Sequence, residues 1–128
     1  MTYYIARTVS TSFDETVKKV IEALKEEGFG VLTDIDVAET LKAKLDVEFP
    51  KYRILGACNP GLALRALLQE NKIGTLLPCN VIVRDTGRGD TEVAAVDPVV
   101  SLSRVGQAEL EPVANEVRTR LERMLASL

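Results

Sequence analysis

The spacing of hydrophobic positions along the chain switches between two periods, and each switch predicts an element boundary. Tyr3 to Val9 concentrates β-branched and aromatic residues and reads as a strand. From Ser12 the period lengthens: Phe13, Val17, Val20, Ile21 and Leu24 fall on one face of a helix. Ser12 suits its N-cap, Glu15 completes a capping box and Gly28 ends it. Phe29 to Ile35 predicts a second strand, after which Asp36 can cap a short helix whose Val37, Leu41 and Leu45 share a face.

Pro50 marks a break, and Tyr52 to Ala57 forms a third strand that runs directly into Cys58-Asn59-Pro60. Asn59 suits an N-cap and Pro60 the first helical turn, where a missing N–H costs nothing. The helix that follows is expected to carry Leu64, Leu67 and Leu68 inward and to stop near Asn71. Leu76 to Arg84 and Thr91 to Val96 read as two strands of a hairpin, joined by a loop whose Gly87 and Gly89 supply positive φ angles. Asp97-Pro98 repeats the cap-then-proline signal for a short turn through Leu102. A final helix occupies Glu109 to Ser127, with Pro112 tolerated in its first turn. The hairpin and short crossovers point to an α+β fold of two layers: a mixed or antiparallel sheet of about five strands with helices packed on one face. No linker, low-complexity tract or repeat interrupts residues 1–128, so one domain is the simplest account.

Composition narrows the function classes. The 128 residues contain no His and no Trp, which excludes Ser/His/Asp and Cys/His nucleophile systems and every His-ligated metal site. Sixteen basic groups stand against 19 acidic ones, for a formal net charge of -3, and they are scattered, so neither nucleic acid nor an anionic membrane is an expected partner. No apolar stretch approaches the length of about 18 residues expected of a membrane span. The first residues lack the pattern of an export signal, so a cytoplasmic location and reduced thiols are expected.

Chemistry is concentrated at the two cysteines. Cys58 lies at a strand-to-helix junction, where unpaired N–H groups favour a thiolate; it also follows an apolar strand, as a small buried hydrophobe would. Cys79 opens the fourth strand region, and each cysteine precedes an asparagine, Asn59 and Asn80. If their strands are neighbours, two thiols and two carboxamides could converge on one pocket. Two sulfur ligands without His do not make a structural zinc site, and no metal or cofactor is assigned. A soft ion such as Cu(I) would tolerate two thiolates, although nothing in the sequence demands it. Asp97 ends an apolar strand and reads first as an N-cap, with an acid/base role as the alternative. Neither Gly28-Phe29-Gly30 nor Gly87-Arg88-Gly89 continues to a dinucleotide fingerprint, and Arg88-Gly89-Asp90 is a turn. In the last helix Leu110, Ala114, Val117, Leu121, Met124 and Leu128 form a seam that packs on the sheet or, alternatively, between two copies of the chain.

The segments Ile54-Leu55-Gly56-Ala57-Cys58-Asn59-Pro60, Ile73 to Val83 with Leu77-Pro78-Cys79-Asn80 at its centre, and Val96-Asp97-Pro98 resemble the bacterial and archaeal domain-of-unknown-function family numbered 302. The resemblance spans nearly the whole chain. It implies a small α+β domain that forms dimers and has no established reaction. By matching position Cys58, Asn59, Pro60, Pro78, Cys79 and Asp97 are its motif residues here.

Three readings follow. One is a binding module for a small ligand at a pocket around Cys58, Asn59, Pro60, Cys79, Asn80 and Asp97, where free N–H groups would favour an anion. Another is a structural or interaction protein whose working form is a homodimer, two-fold pairing being the commonest assembly. The third is a thiol-dependent enzyme with Cys58 as nucleophile, for which no general base can be named.

Overall fold

The computed structural model describes residues 2–128. Five strands and five helices follow in the order β1 (Tyr4–Val9), α1 (Phe13–Glu26), β2 (Gly30–Asp36), α2 (Val37–Leu45), β3 (Tyr52–Cys58), α3 (Pro60–Gln69), β4 (Cys79–Asp85), β5 (Thr91–Val96), α4 (Pro98–Ser103) and α5 (Glu111–Ala126). Short 3-10 turns at Ile73–Leu76 and Ala108–Leu110 precede β4 and α5. The strands form one sheet in the order β1-β5-β4-β3-β2, every neighbouring pair antiparallel. The two-layer α+β reading therefore holds, with the antiparallel of its two sheet alternatives.

Four helices start where a side chain can accept from an otherwise unpaired N–H. Ser12 accepts from Glu15 N–H, Asp36 from Glu39, Asn59 from Leu62 and Asp97 from Val99. α1 ends in a Schellman arrangement: Gly28 has φ +85°, its N–H reaches Lys25 O, and Phe29 N–H reaches Leu24 O. At the far end of the molecule Arg7 of β1 donates to the carbonyls of Leu125 and Ala126, closing the last turn of α5.

The core lies on one face of the sheet. Leu55 and Ala57 of β3, Val81 and Val83 of β4, and Val93 and Ala95 of β5 are buried against Phe13, Val17, Val20 and Leu24 of α1 and Val117, Leu121 and Met124 of α5. The intervening residues point the other way, as the two-residue period of a strand requires. The seam of α5 is thus consumed inside the protomer: Leu110, Ala114, Val117, Leu121 and Met124 are all buried, so the alternative of a dimer built on that seam does not hold.

Two further expectations are corrected. In α3 the buried residues are Leu62 and Ala66, whereas Leu64, Leu67 and Leu68 are 57%, 41% and 77% exposed. Apolar residues almost encircle this helix, so its own pattern does not select a face; small Ala66 goes inward. The strand expected from Leu76 begins at Cys79, because Pro78 has no N–H to give a ladder and the preceding residues close a 3-10 turn instead. The short α2 forms as expected, but none of its residues is buried.

Gly56, in the middle of β3, is required for space. A Cβ there would overlap the Thr33 hydroxyl of β2 and lie 2.8 Å from Pro78 Cγ. Gly56→Ala should therefore destabilise the protein by about 1–3 kcal/mol, the usual cost of overpacking, seen as a lowered melting temperature. Adding Thr33→Ala to Gly56→Ala should recover part of the loss, whereas Thr33→Ala alone should not stabilise.

Candidate functional site

β3 and β4 bring the cysteines together. Ala57 lies directly opposite Cys79, and Cys58 is the next residue of β3, so the two cysteines stand at the same end of adjacent strands. Both are free, and both line one small cavity of about 40 Å³ between the sheet and the helices. Its walls are otherwise mostly carbon, from Phe29, Leu62, Ala66, Pro78, Leu102 and Val117 among others, and Pro98 also reaches it. The volume holds roughly one water-sized body.

Asn59 contributes a wall of this cavity, but its carboxamide oxygen is committed to the Leu62 N–H at 3.2 Å. Its Nδ2 lies so close to Gly28 that a Cβ there would sit 2.9 Å away. Pro60 occupies the first turn of α3 and is exposed, consistent with turn chemistry. Asn80 goes elsewhere. It follows Cys79 in the same strand, so it emerges on the opposite sheet face, exposed, beside Tyr3, Tyr4 and Tyr52. Of the two asparagines, only Asn59 joins the thiols.

Asp97 is buried to 7% exposure and has two partners. Oδ1 accepts from Val99 N–H at 3.0 Å, capping α4, while Oδ2 lies 3.3 Å from Arg118 Nε of α5. That Nε is buried with no aligned hydrogen bond, so the attraction is between charges. Pro98 carries the segment to the cavity wall, leaving Asp97 itself outside the lining. The carboxylate serves helix and ion pair, as the N-cap reading expects.

Burial and the neighbouring Cys58 push the Cys79 thiol up from its ordinary 9.0 to about 11. Among the described residues no group of three or more Cys, Asp or Glu is placed to hold a metal ion. No helix among them is long and apolar enough to cross a membrane.

The fold is shared with known proteins. The family described as Domain of unknown function DUF302 matches residues 5–128. The chain belongs to the DUF302 family. A crystal structure of an uncharacterized conserved protein DUF302 from Bacillus stearothermophilus superposes with a TM-score of 0.91, at 31% sequence identity over 98% of each chain. No curated protein matches. The open sheet face around Asn80 is a feature of this DUF302 chain that sequence reasoning missed; its signal was the run of polar and apolar residues alternating with the core residues of β3, β4 and β5.

The raised Cys79 value fixes a pH dependence. In the unfolded chain this thiol ionises around its ordinary value, whereas folded it keeps its proton to about 11, so between the two the folded state binds more protons. Its contribution to stability is complete below pH 9.0 and is lost as pH rises from there to about 11. Denaturant unfolding should show this decline, and Cys79→Ala should flatten it. Below pH 9, a small neutral alkylating reagent should label Cys58 ahead of Cys79, read peptide by peptide. Asp97→Ala should cost about 2 kcal/mol in unfolding free energy, because it removes a cap and leaves Arg118 Nε without its counter-charge. Asp97→Asn, which keeps the cap, should cost less.

Proposed function

We propose that this protein works by self-association, as a homodimer joined through the open face of its sheet. The supporting observation is the row Ala6, Ala94, Ile82, Ile54 and Ile35, which crosses all five strands in register on the face away from the core. None of the five is buried, and Ile35 is 48% exposed. Contiguous apolar surface of this kind is characteristic of association sites.

The face is self-complementary in shape and in charge. Alanines on β1 and β5 form a low half, and isoleucines on β4, β3 and β2 form a raised half. A two-fold axis lying in the plane of contact, parallel to the strands and between β4 and β5, lays the ridge of one copy over the trough of the other, the isologous arrangement of a closed dimer. The concavity over Ala94, bordered by Tyr4, Tyr52 and Val96, measures about 480 Å³ and gives the ridge room to enter. One row along, Arg84 and Glu92 stand side by side, Nε to Oε1 at 2.6 Å, with their side chains about a third exposed. The same rotation sets each opposite the other's charge. Such complementarity favours register as well as attraction.

A second reading, a binding module at the thiol cavity, is supported by the convergence of Cys58, Cys79 and Asn59. The volume there restricts it to a very small guest.

Sedimentation at micromolar concentration is expected to give a dimer, and Ile82→Asp to give a monomer with unchanged secondary structure. Leu64→Asp with Leu68→Asp on the exposed side of α3 should leave the dimer intact. A wild-type monomer, or dissociation by the α3 pair and not by Ile82→Asp, overturns the sheet-face assignment.

A further inference from the structure

We propose that the outer edge of β1 is an interaction surface for an extended strand, and that the strand it takes is β1 of another copy of the chain, antiparallel and centred on Ala6. The choice of that occupant rests on the sheet-face dimer proposed above; the open edge itself does not.

The edge can be read residue by residue. Asp97 N–H donates to Tyr3 O at 2.8 Å, and these two residues stand opposite each other in the register of β1 and β5. Opposed residues of an antiparallel ladder alternate between pairs that exchange hydrogen bonds and pairs that do not. Ile5, Arg7 and Val9 therefore turn their N–H and C=O groups toward β5, and Tyr4, Ala6 and Thr8 turn theirs outward. Among the described residues no main-chain partner outside the β1–β5 ladder meets those outward groups. No residue of β1 is buried, Ile5 and Val9 on the core side included. The opposite edge is built differently. In β2 Leu32 is an extra residue between the pairs Val31–Ala57 and Thr33–Gly56, a bulge of the kind that turns an edge away from flat pairing. β1 pairs with β5 without a shift along its whole length and contains no proline or lysine, which leaves it a regular template for strand addition.

Two features select the occupant. A two-fold axis normal to the sheet through Ala6 pairs Tyr4 with Thr8 of the other copy and Ala6 with its own equivalent, so every outward group finds a partner. The aromatic ring of Tyr4 then lies beside a β-branched threonine, a favourable cross-strand pair, and the smallest side chain of the strand stands at the axis. Arg7, the one charge in the strand, is directed to its own α5. The second feature is the sheet-face dimer. With its axis between β4 and β5, Ile54 covers Ala6 of the other copy and Ile82 covers Ala94, whereas Ile35 of β2 overhangs the other copy's β1 with nothing beneath it. A β1 added at the edge brings a further Ala6 into that place, in the same row and on the same face. Because the two axes do not meet, the edge contact cannot close on the face dimer; it joins dimers in series.

The test is amide hydrogen exchange of the full chain, quenched and read residue by residue by NMR, alongside sedimentation as concentration rises. Main-chain bonds made in exchange for bonds to water are individually weak, so growth beyond the dimer is expected only above the micromolar range. The Ile5 and Arg7 amides should be protected throughout. Those of Tyr4, Ala6 and Thr8 should exchange freely in the dimer and slow by about tenfold or more as dimers join, a readout that needs no variant. Thr8→Pro removes an outward N–H and no bond of the β1–β5 ladder, a change edge strands tolerate. It should halt assembly at the dimer, whereas Thr8→Ala, which keeps the N–H, should assemble as the wild type does. Ile82→Asp should pair through the edge alone and grow no further. A wild type that stays dimeric with Tyr4, Ala6 and Thr8 unprotected at every concentration overturns the edge contact and leaves the face dimer standing. Growth that Thr8→Pro does not slow, or that protects the β2 amides instead, overturns it too. If Ile82→Asp and the wild type both stop at a pair with these three amides protected, the edge contact stands and the face dimer fails.

Discussion

β1 pairs with β5, and the rest of the architecture depends on that contact. It sends the first strand to one edge of the sheet while β2 forms the other edge, so α1 has to cross the full width between them. A helix crossing a sheet buries a stripe, and α1 supplies one in Phe13, Val17, Val20 and Leu24. α5 then packs beside α1 on the same face, and its last turn is held by Arg7 of β1. With both long helices on one side, neither of them covers the other side of the sheet. The apolar row from Ala6 to Ile35 is left bare by topology; its composition alone would not reveal it.

The thiol site follows from the same arrangement at a finer scale. β3 and β4 are neighbours in the middle of the sheet, and the motif residues lie where both strands meet the helical layer. Gly56 allows Thr33 and Pro78 to pack across the strand, Ala57 faces Cys79, and Asn59 turns the chain into α3. Much of what these residues do in this chain is therefore turn and packing chemistry. The two sulfurs are the exception, since neither makes a hydrogen bond or bridge that the fold requires.

What the sequence made legible was local. Ser12, Asp36, Asn59 and Asp97 each accept from an N–H two or three residues on, so a short window contains both donor and acceptor. The hairpin glycines Gly87 and Gly89 are legible for the same reason, both having positive φ. What stayed hidden was the choice of face. α3 offers leucines around most of its circumference, and only its docking on α5 decides that Leu62 and Ala66 go inward. Asn80 was within reach of a stricter reading: adjacent residues in a regular strand point to opposite faces, so Cys79 and Asn80 could not both enter one pocket. Asp97 and Arg118 are a long-range pair, and no short window carries it.

The bond from Arg7 to the carbonyl of Leu125 joins residues 118 positions apart. Made on a ribosome, β1 emerges long before its sheet partner β5 and its helix-end partner α5. An early pause leaves an edge strand and an amphipathic α1 with nothing to pack against. Loop closure on this scale makes folding slower than in a protein built from neighbours, and it makes it cooperative. Until α5 has emerged, β1 and α1 therefore lack the partners that bury them.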